Sequence, residues 1–443
     1  MRRIHLVLAL VAALAAPGYA HAITVVTVAG PEGVDTWLSE EHTIPIIAVN
    51  ISLPAGSAYD PANRPGLAAM TASLLDEGAG NLPSDAFKEA LEARAIRLGF
   101  NAGTDYMTVT LSTLTENAGE AFRLLALALQ APRFDAEAIE RMRAQILADL
   151  RQDEEDPGTI AGKAWSEAYF GDHPYAHDES GTPESIAAIS AAEIRGFAQR
   201  HLVRGGAKVA AAGDIGEPQL QMYLAQVFGP MPMGDVAAVA APAAAAQPDT
   251  MTIDMEIPQP AVVFGLPGPM RLDPDFIPTY VANYVFGGGG FASRLMNEVR
   301  DKRGLTYGIG TGLQDLRSAA LIRGAVQSER TKVATAIEVT KAEMQRFAEG
   351  GATEMELADA KTYLTGSFAL ALDSNTKIAG ALNGFQRAGL GPDYVVERNA
   401  LIEAVTLDQV NGMARKYYDP AKLVIVIAGT PAPAEAAAQP AAQ

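Results

Sequence analysis

The 443-residue chain carries 34 Lys+Arg against 52 Asp+Glu, a net charge of −18, and no cysteine. That balance argues against a nucleic-acid partner, and the missing thiols exclude disulfides and thiolate metal sites. Stability must come from apolar burial, which a chain this long supplies through two or more domains.

Arg2 and Arg3, the apolar run Leu6 to Ala16 and the small-x-small triplet Ala20-His21-Ala22 read as a cleaved secretory signal over residues 1–22. The run is too short to span a bilayer with these flanks, and no later stretch approaches a membrane span. Export without cysteine suits a soluble periplasmic protein. From Ile23 the pattern is strand, turn, strand, with Ile44 to Leu53 rich in β-branched residues. Leu67, Met70 and Leu74 share one face of a helix predicted over Gly66 to Glu77, which Gly78 stops. A second helix is expected from Ser84 to Leu98, then an alternating strand from Met107 to Leu114 and a helix from Ala118 to Gln130. A long charged helix runs from Phe134-Asp135 through Leu150, and its acidic run Asp153 to Asp156 reads as a solvated face. Further helices lead past Tyr169 to Arg200, and Ala207 to Ala212 closes the first half as a buried strand.

Alanine and proline dominate residues 231–252, which read as a linker, and residues 431–443 have the composition of a disordered tail. The second half repeats the first. Ile186, Ile189, Ile194, Ala198 and Gly213 recur at a constant offset as Ile402, Val405, Val410, Ala414 and Gly429, which indicates an internal duplication. The expected fold class is α+β, with two homologous halves (23–230 and 253–430), each of two similar α+β modules, joined by the linker into a clamshell.

The richest chemistry lies in Gly287 to Gly310, GGGGFASRLMNEVRDKRGLTYGIG. A four-glycine loop feeds a helix whose face would be Phe291, Leu295 and Val299, with Arg300 in its last turn and Gly304 as its stop. Leu305 onward reads as strand. A guanidinium at a helix end and the Tyr307 phenol at a strand start suit one cleft and a developing oxyanion. Gly287, Gly288, Gly289 and Gly290 let backbone approach backbone and are candidate substrate contacts. No Lys-Ser/Thr follows them, so a phosphate loop is not indicated.

These residues, together with the Gln259-Pro260 strand opening and His173-Pro174-Tyr175, resemble the insulinase-like zinc peptidases, the pitrilysin and mitochondrial processing peptidase family. The resemblance covers nearly the whole chain after the signal. It implies that Arg300 and Tyr307 reach the scissile carbonyl, and that Gly99 to Thr104, with Asn101 as a candidate contact, lines the chamber. It also implies an inverted zinc motif, His-x-x-Glu-His, in the first half. Here those positions hold Ala69, Met70, Thr71, Ala72 and Ser73, and the third ligand position falls near Asp149. Zinc catalysis needs three protein ligands and a carboxylate base, and this set supplies neither. His173 and His177 have i, i+4 spacing, but Pro174 breaks the helix such a pair would need.

The expectation that follows is a chain with no metal of its own. It is a subunit inactive alone, whose partner is a similar zinc-binding peptidase chain, and Arg300 and Tyr307 stabilise the oxyanion during hydrolysis of a peptide or unfolded polypeptide. The substrate would add as a β-strand. The alternative is a non-proteolytic peptide-binding or scaffold protein of the same fold, and a self-sufficient metalloenzyme with unusual ligands is a third reading.

Overall fold

A computed structural model describes residues 23–243 and 249–432. The segment read as a signal, 1–22, and residues 433–443 of the expected tail lie outside the described residues.

The first half builds one large sheet from β1 (Val26–Thr27), β2 (Val34–Glu40), β3 (Ile46–Leu53), β4 (Arg97–Ala102), β5 (Met107–Leu114) and β6 (Ala207–Gly213). Their spatial order is β1-β2-β6-β3-β5-β4, antiparallel except for the parallel pair β2/β6. The second half builds another from β7 (Thr250–Ile253), β8 (Ala261–Pro267), β9 (Thr306–Asp315), β10 (Ala320–Ser328) and β11 (Val424–Ala428). Its order, β7-β11-β8-β10-β9, with β7/β11 parallel, reproduces the first sheet without its outermost strand. Each half is thus a single sheet-centred α+β module rather than two, and the chain holds one pair. The stretch expected to be linker through residue 252 already contributes β7, because Thr250 to Ile253 pair with Ile425 to Ala428.

The duplication is visible at the level of caps. Ser190 and Thr406 both close capping boxes, with Glu193 and Gln409, and each opens an 11-residue helix, Ala191–His201 and Leu407–Tyr417. The strand that follows ends on Gly213 in the first half and just before Gly429 in the second, and the two glycines share a φ of 122°, a conformation L-side chains rarely adopt.

β5 shows why the alternating pattern works: Met107, Val109, Leu111 and Thr113 point inward and the residues between them do not. Central β3 is instead buried on both faces. Ile47, Val49, Ile51 and Leu53 join the first half's helices, while Ala48 joins Ala210 and Ala212 on the opposite face. The helix that covers this opposite face comes from the other half. Label as α1 the helix Leu67–Ala72, as α2 the helix Pro157–Phe170 and as α3 the helix Asn375–Arg387. α3, from the second half, lays Ile378, Ala379 and Leu382 on the alanines of the first sheet. α2, from the first half, lays Ala161 and Trp165 on Val263, Val424 and Val426 of the second.

Each exchanged helix is anchored by a side chain that donates to a backbone carbonyl of an inner strand of the sheet beneath it. Trp165 Nε1 donates to the Val424 carbonyl at 3.1 Å, and Asn383 Nδ2 donates to the Lys208 carbonyl at 3.1 Å. Val424 and Lys208 both lie at the start of the strand that closes their half. Asn383 Oδ1 also accepts from Ser52 Oγ at 2.5 Å in a fully buried contact.

Tyr59 and Phe197 close on the His201 ring at 5.2 and 4.4 Å, and burial pushes its imidazole down to about 4. In the unfolded chain the ring takes a proton near the ordinary value of 6.5. Between these values the unfolded state binds more protons. The contribution of the neutral ring is therefore complete above the unfolded value and is lost as pH falls toward the folded one. Urea midpoints at about pH 7 and about pH 5 check this, with a smaller acid loss expected in His201→Gln than in the native chain.

Candidate functional site

The segment leading to Arg300 departs from α-helical winding in both directions. Gly290–Ala292 form a 3₁₀ turn, and Met296–Asp301 form a π-turn. Leu295 and Val299 are fully buried, as the spacing requires, but Phe291 sits in the 3₁₀ turn and is 69% exposed. Phe291 thus leaves the expected apolar face and serves instead as a platform for Arg300, whose Cζ lies 4.5 Å from the ring centroid. Gly304, at φ 59°, ends the segment as expected, and the Leu305 N–H closes back on the Val299 carbonyl at 3.0 Å.

β9 then begins with a bulge. Thr306 opposes Ser328 and Ile309 opposes Val326, so one residue of β9 is extra. Thr306 Oγ1 fills the gap by donating to the Gln327 carbonyl at 2.6 Å and accepting from the Gly308 N–H at 3.1 Å. The bulge turns Tyr307 outward to 84% exposure, where its hydroxyl has no hydrogen-bond partner among the described residues. Arg300 likewise has no hydrogen bond or ion pair there, so both donors are free for a group from outside the chain. An isolated glycine inside a strand pattern is a bulge signal, and Gly308 carries it, but Gly310 and Gly312 nearby dilute it.

Behind this pair the segment is held firmly. Arg294 donates to both carboxylate oxygens of Glu356, at 2.6 and 2.7 Å, and to the Gly351 carbonyl at 2.8 Å. Sequence reasoning had no reason to single out Arg294. Its partners lie on the helix Glu354–Leu370 and the loop before it.

Of the four glycines, Gly287, Gly288 and Gly290 line an open groove of about 590 Å³ with Ile309 and Gly310 of β9, Gly158 and Gly162 of the first half, and Arg323. A packing reason accounts for three of them: a Cβ at Gly287 would strike Thr311, one at Gly288 the Asn283 amide, and one at Gly289 the Tyr284 carbonyl. Gly290, at φ 55°, faces open space. Asn101 is elsewhere, near the end of edge strand β4, where it lines a separate cleft between the halves. The glycines and Asn101 therefore border two clefts.

The positions of the absent zinc motif lie on α1. Met70, Thr71 and Ala72 are buried, and the helix ends at Ala72, short of the expected Glu77. Beyond Ala72 the N–H groups of Leu74, Leu75 and Glu77 donate three residues back, to the Thr71, Ala72 and Leu74 carbonyls, so the α-helix tightens into turns before Gly78. Asp149 is exposed and accepts from Gln145 at 2.9 Å. Ala69, Ala72 and Ser73 present no imidazole or carboxylate, so this helix does not fit a zinc ion. Among the described residues no three His, Cys, Asp or Glu side chains cluster in a metal-binding arrangement.

His173 and His177 flank a 3₁₀ turn, Pro174–Ala176, and His173 hydrogen-bonds the Ala240 carbonyl at 2.8 Å. The chemistry of this segment is carried by Tyr175. Its hydroxyl donates to Asp105 at 2.7 Å and accepts from the Ser318 N–H at 3.2 Å, tying the β9–β10 turn to the first half. Burial and the neighbouring Asp105 carboxylate push the Tyr175 phenol well above its ordinary range, so it stays protonated as that donor.

Residues 36–182 match the family model described as insulinase (peptidase family M16), and residues 188–364 match the one described as the peptidase M16 inactive domain. A Helicobacter pylori protein named non-peptidase homolog YmxG is 28% identical over 345 residues, 78% of this chain and 79% of that one. A Bacillus subtilis protein named uncharacterized zinc protease YmxG is 22% identical, covering 87% of this chain and 94% of its own. A Pseudomonas fluorescens structure described as a peptidase M16 inactive domain superposes with a TM-score of 0.89 at 28% identity, over 93% of this chain and 99% of that one. Among the described residues no helix is long and apolar enough to cross a membrane. With a sheet-and-helix module repeated in tandem, the arginine and tyrosine presented by the second copy and the zinc positions of the first filled by alanine and serine, the chain belongs to the insulinase-like peptidase family M16 and lacks that family's metal-binding motif.

Proposed function

We propose that this chain is the non-zinc-binding subunit of a heteromeric periplasmic peptidase, and that Arg300 and Tyr307 are its contribution to the shared site. The observation that carries this reading is the free, outward pair itself. An 84% exposed tyrosine set on a bulge and an arginine stacked on an exposed phenylalanine have no hydrogen-bond or ion-pair partner for their side chains among the described residues, while the helix that would bind the metal cannot. A partner of similar fold with His-x-x-Glu-His would bring the zinc. This chain would bring two hydrogen-bond donors for the peptide carbonyl oxygen as negative charge develops there. The name of the Helicobacter pylori relative, a non-peptidase homologue, fits a chain that does not cleave alone.

The test is co-expression with an exported His-x-x-Glu-His chain from the same genome, followed by mass measurement in solution and peptide cleavage by each chain alone and by the mixture. A mixed complex that cleaves, with this chain alone inactive, is the expected result. A genome with no such partner, or a mixture that neither associates nor gains activity, would leave the scaffold reading in its place.

A further inference from the structure

The cleft between the halves, about 690 Å³, concentrates positive charge in a chain whose net charge is −18. Arg271, Arg317 and Arg387 line it, with Asp105 and Asp315 as its carboxylates. Asp105 is committed: it is 7% exposed and accepts from the Tyr175 hydroxyl and from the backbone N–H of Arg317, each at 2.7 Å. Arg317 spends one N–H on the Tyr59 hydroxyl at 3.0 Å. The other two guanidinium groups are held by rings. Arg271 Cζ lies 4.1 Å from the Phe276 centroid and 4.8 Å from that of Tyr394, and Arg387 Cζ lies 6.0 Å from Tyr106. Neither the Arg271 nor the Arg387 guanidinium has a hydrogen bond or salt bridge among the described residues, and Asp315 attracts both from a distance.

A guanidinium presents its donors as a planar fork that matches a carboxylate. Two such forks face one cleft, and the one uncommitted carboxylate near them, Asp315, hydrogen-bonds to neither. Beside them stands Asn101 on β4, the last strand of its sheet, whose outer edge pairs with nothing among the described strands. A free strand edge is a template for extended peptide.

We propose that this cleft binds the carboxylate of a peptide, with Arg271 and Arg387 as ion partners and Asn101 beside the adjoining main chain. Carboxylate binding here needs neither a partner subunit nor the Arg300 and Tyr307 donors, so it stands or falls separately from the reading above. The experiment uses the full secreted chain alone and fluorescence anisotropy with three labelled peptides of one backbone length. The first has acidic side chains and an amidated C-terminus, the second neutral side chains and a free C-terminus, and the third neutral side chains and an amidated C-terminus. At least one of the first two binds about tenfold or more tightly than the third, as expected for a charge-assisted pair. Whichever binds identifies a side-chain or a terminal carboxylate. Arg387 is exposed at the end of α3, and Arg387→Gln abolishes that preference without moving the melting temperature. Equal binding of all three peptides, binding of none, or an undiminished preference in Arg387→Gln would overturn the proposal.

Discussion

In a mixed complex of verified composition, Tyr307→Phe and Arg300→Ala are each expected to lower turnover by about two to three powers of ten with little change in KM. A donor aimed at a developing oxyanion interacts more strongly with the transition state than with the bound substrate, so its loss falls on turnover. Tyr307→Phe is the cleaner of the two. It removes a hydroxyl that bonds to nothing within the described chain and keeps the ring on its bulge, so the melting temperature of the isolated subunit should not move. Arg300→Ala also gives up its contact with the Phe291 ring, worth about 0.5–1 kcal/mol at an exposed site. Turnover unchanged in both variants would remove the role assigned to the pair. A parallel rise in KM with turnover intact would make them binding residues instead.

Trp165→Ala is expected to cost about 3–5 kcal/mol of folding stability, the range for deleting a large buried aromatic side chain. The indole is fully buried, stacks on Tyr169 at 4.7 Å, lies beneath the Arg323 guanidinium at 4.8 Å and donates to the Val424 carbonyl. Gly265 of β8 has no side chain because any Cβ there would overlap the ring. The cavity left by alanine would therefore be walled by a sheet that cannot move in to fill it. Urea unfolding followed by circular dichroism measures the loss, and a cost below about 1 kcal/mol would mean that the α2 contact is dispensable.

What was legible in the sequence was local. Strand β5 follows from its alternation, the stop at Gly304 from a residue that tolerates positive φ, and the duplication from the regular recurrence of Ile186 to Gly213 as Ile402 to Gly429. The helix end at Arg300 and the strand start before Tyr307 were legible because both are local signals. Phe291 was misplaced because the i, i+4 rule assumes 3.6 residues per turn, and this segment switches from 3₁₀ to π winding within a few residues. The early end of α1 was missed because the tighter three-residue turns that follow Ala72 leave the apolar spacing intact. Long-range partners left no periodic trace: Tyr175 with Asp105 and Ser318, Arg294 with Glu356, and the two exchanged helices each join residues distant along the chain.

The exchanged helices also say what the smallest self-sufficient unit of this fold is. A helix lent by each copy of a repeated module to the sheet of the other is the geometry of a domain-swapped dimer, here with its two protomers strung on one polypeptide. One copy taken alone would keep its strands but leave Ala48, Ala210 and Ala212, or Val263, Val424 and Val426, facing water. The fused pair can therefore lose the chemistry of one copy, as it has at Ala69, Ala72 and Ser73, without being free to lose the copy itself.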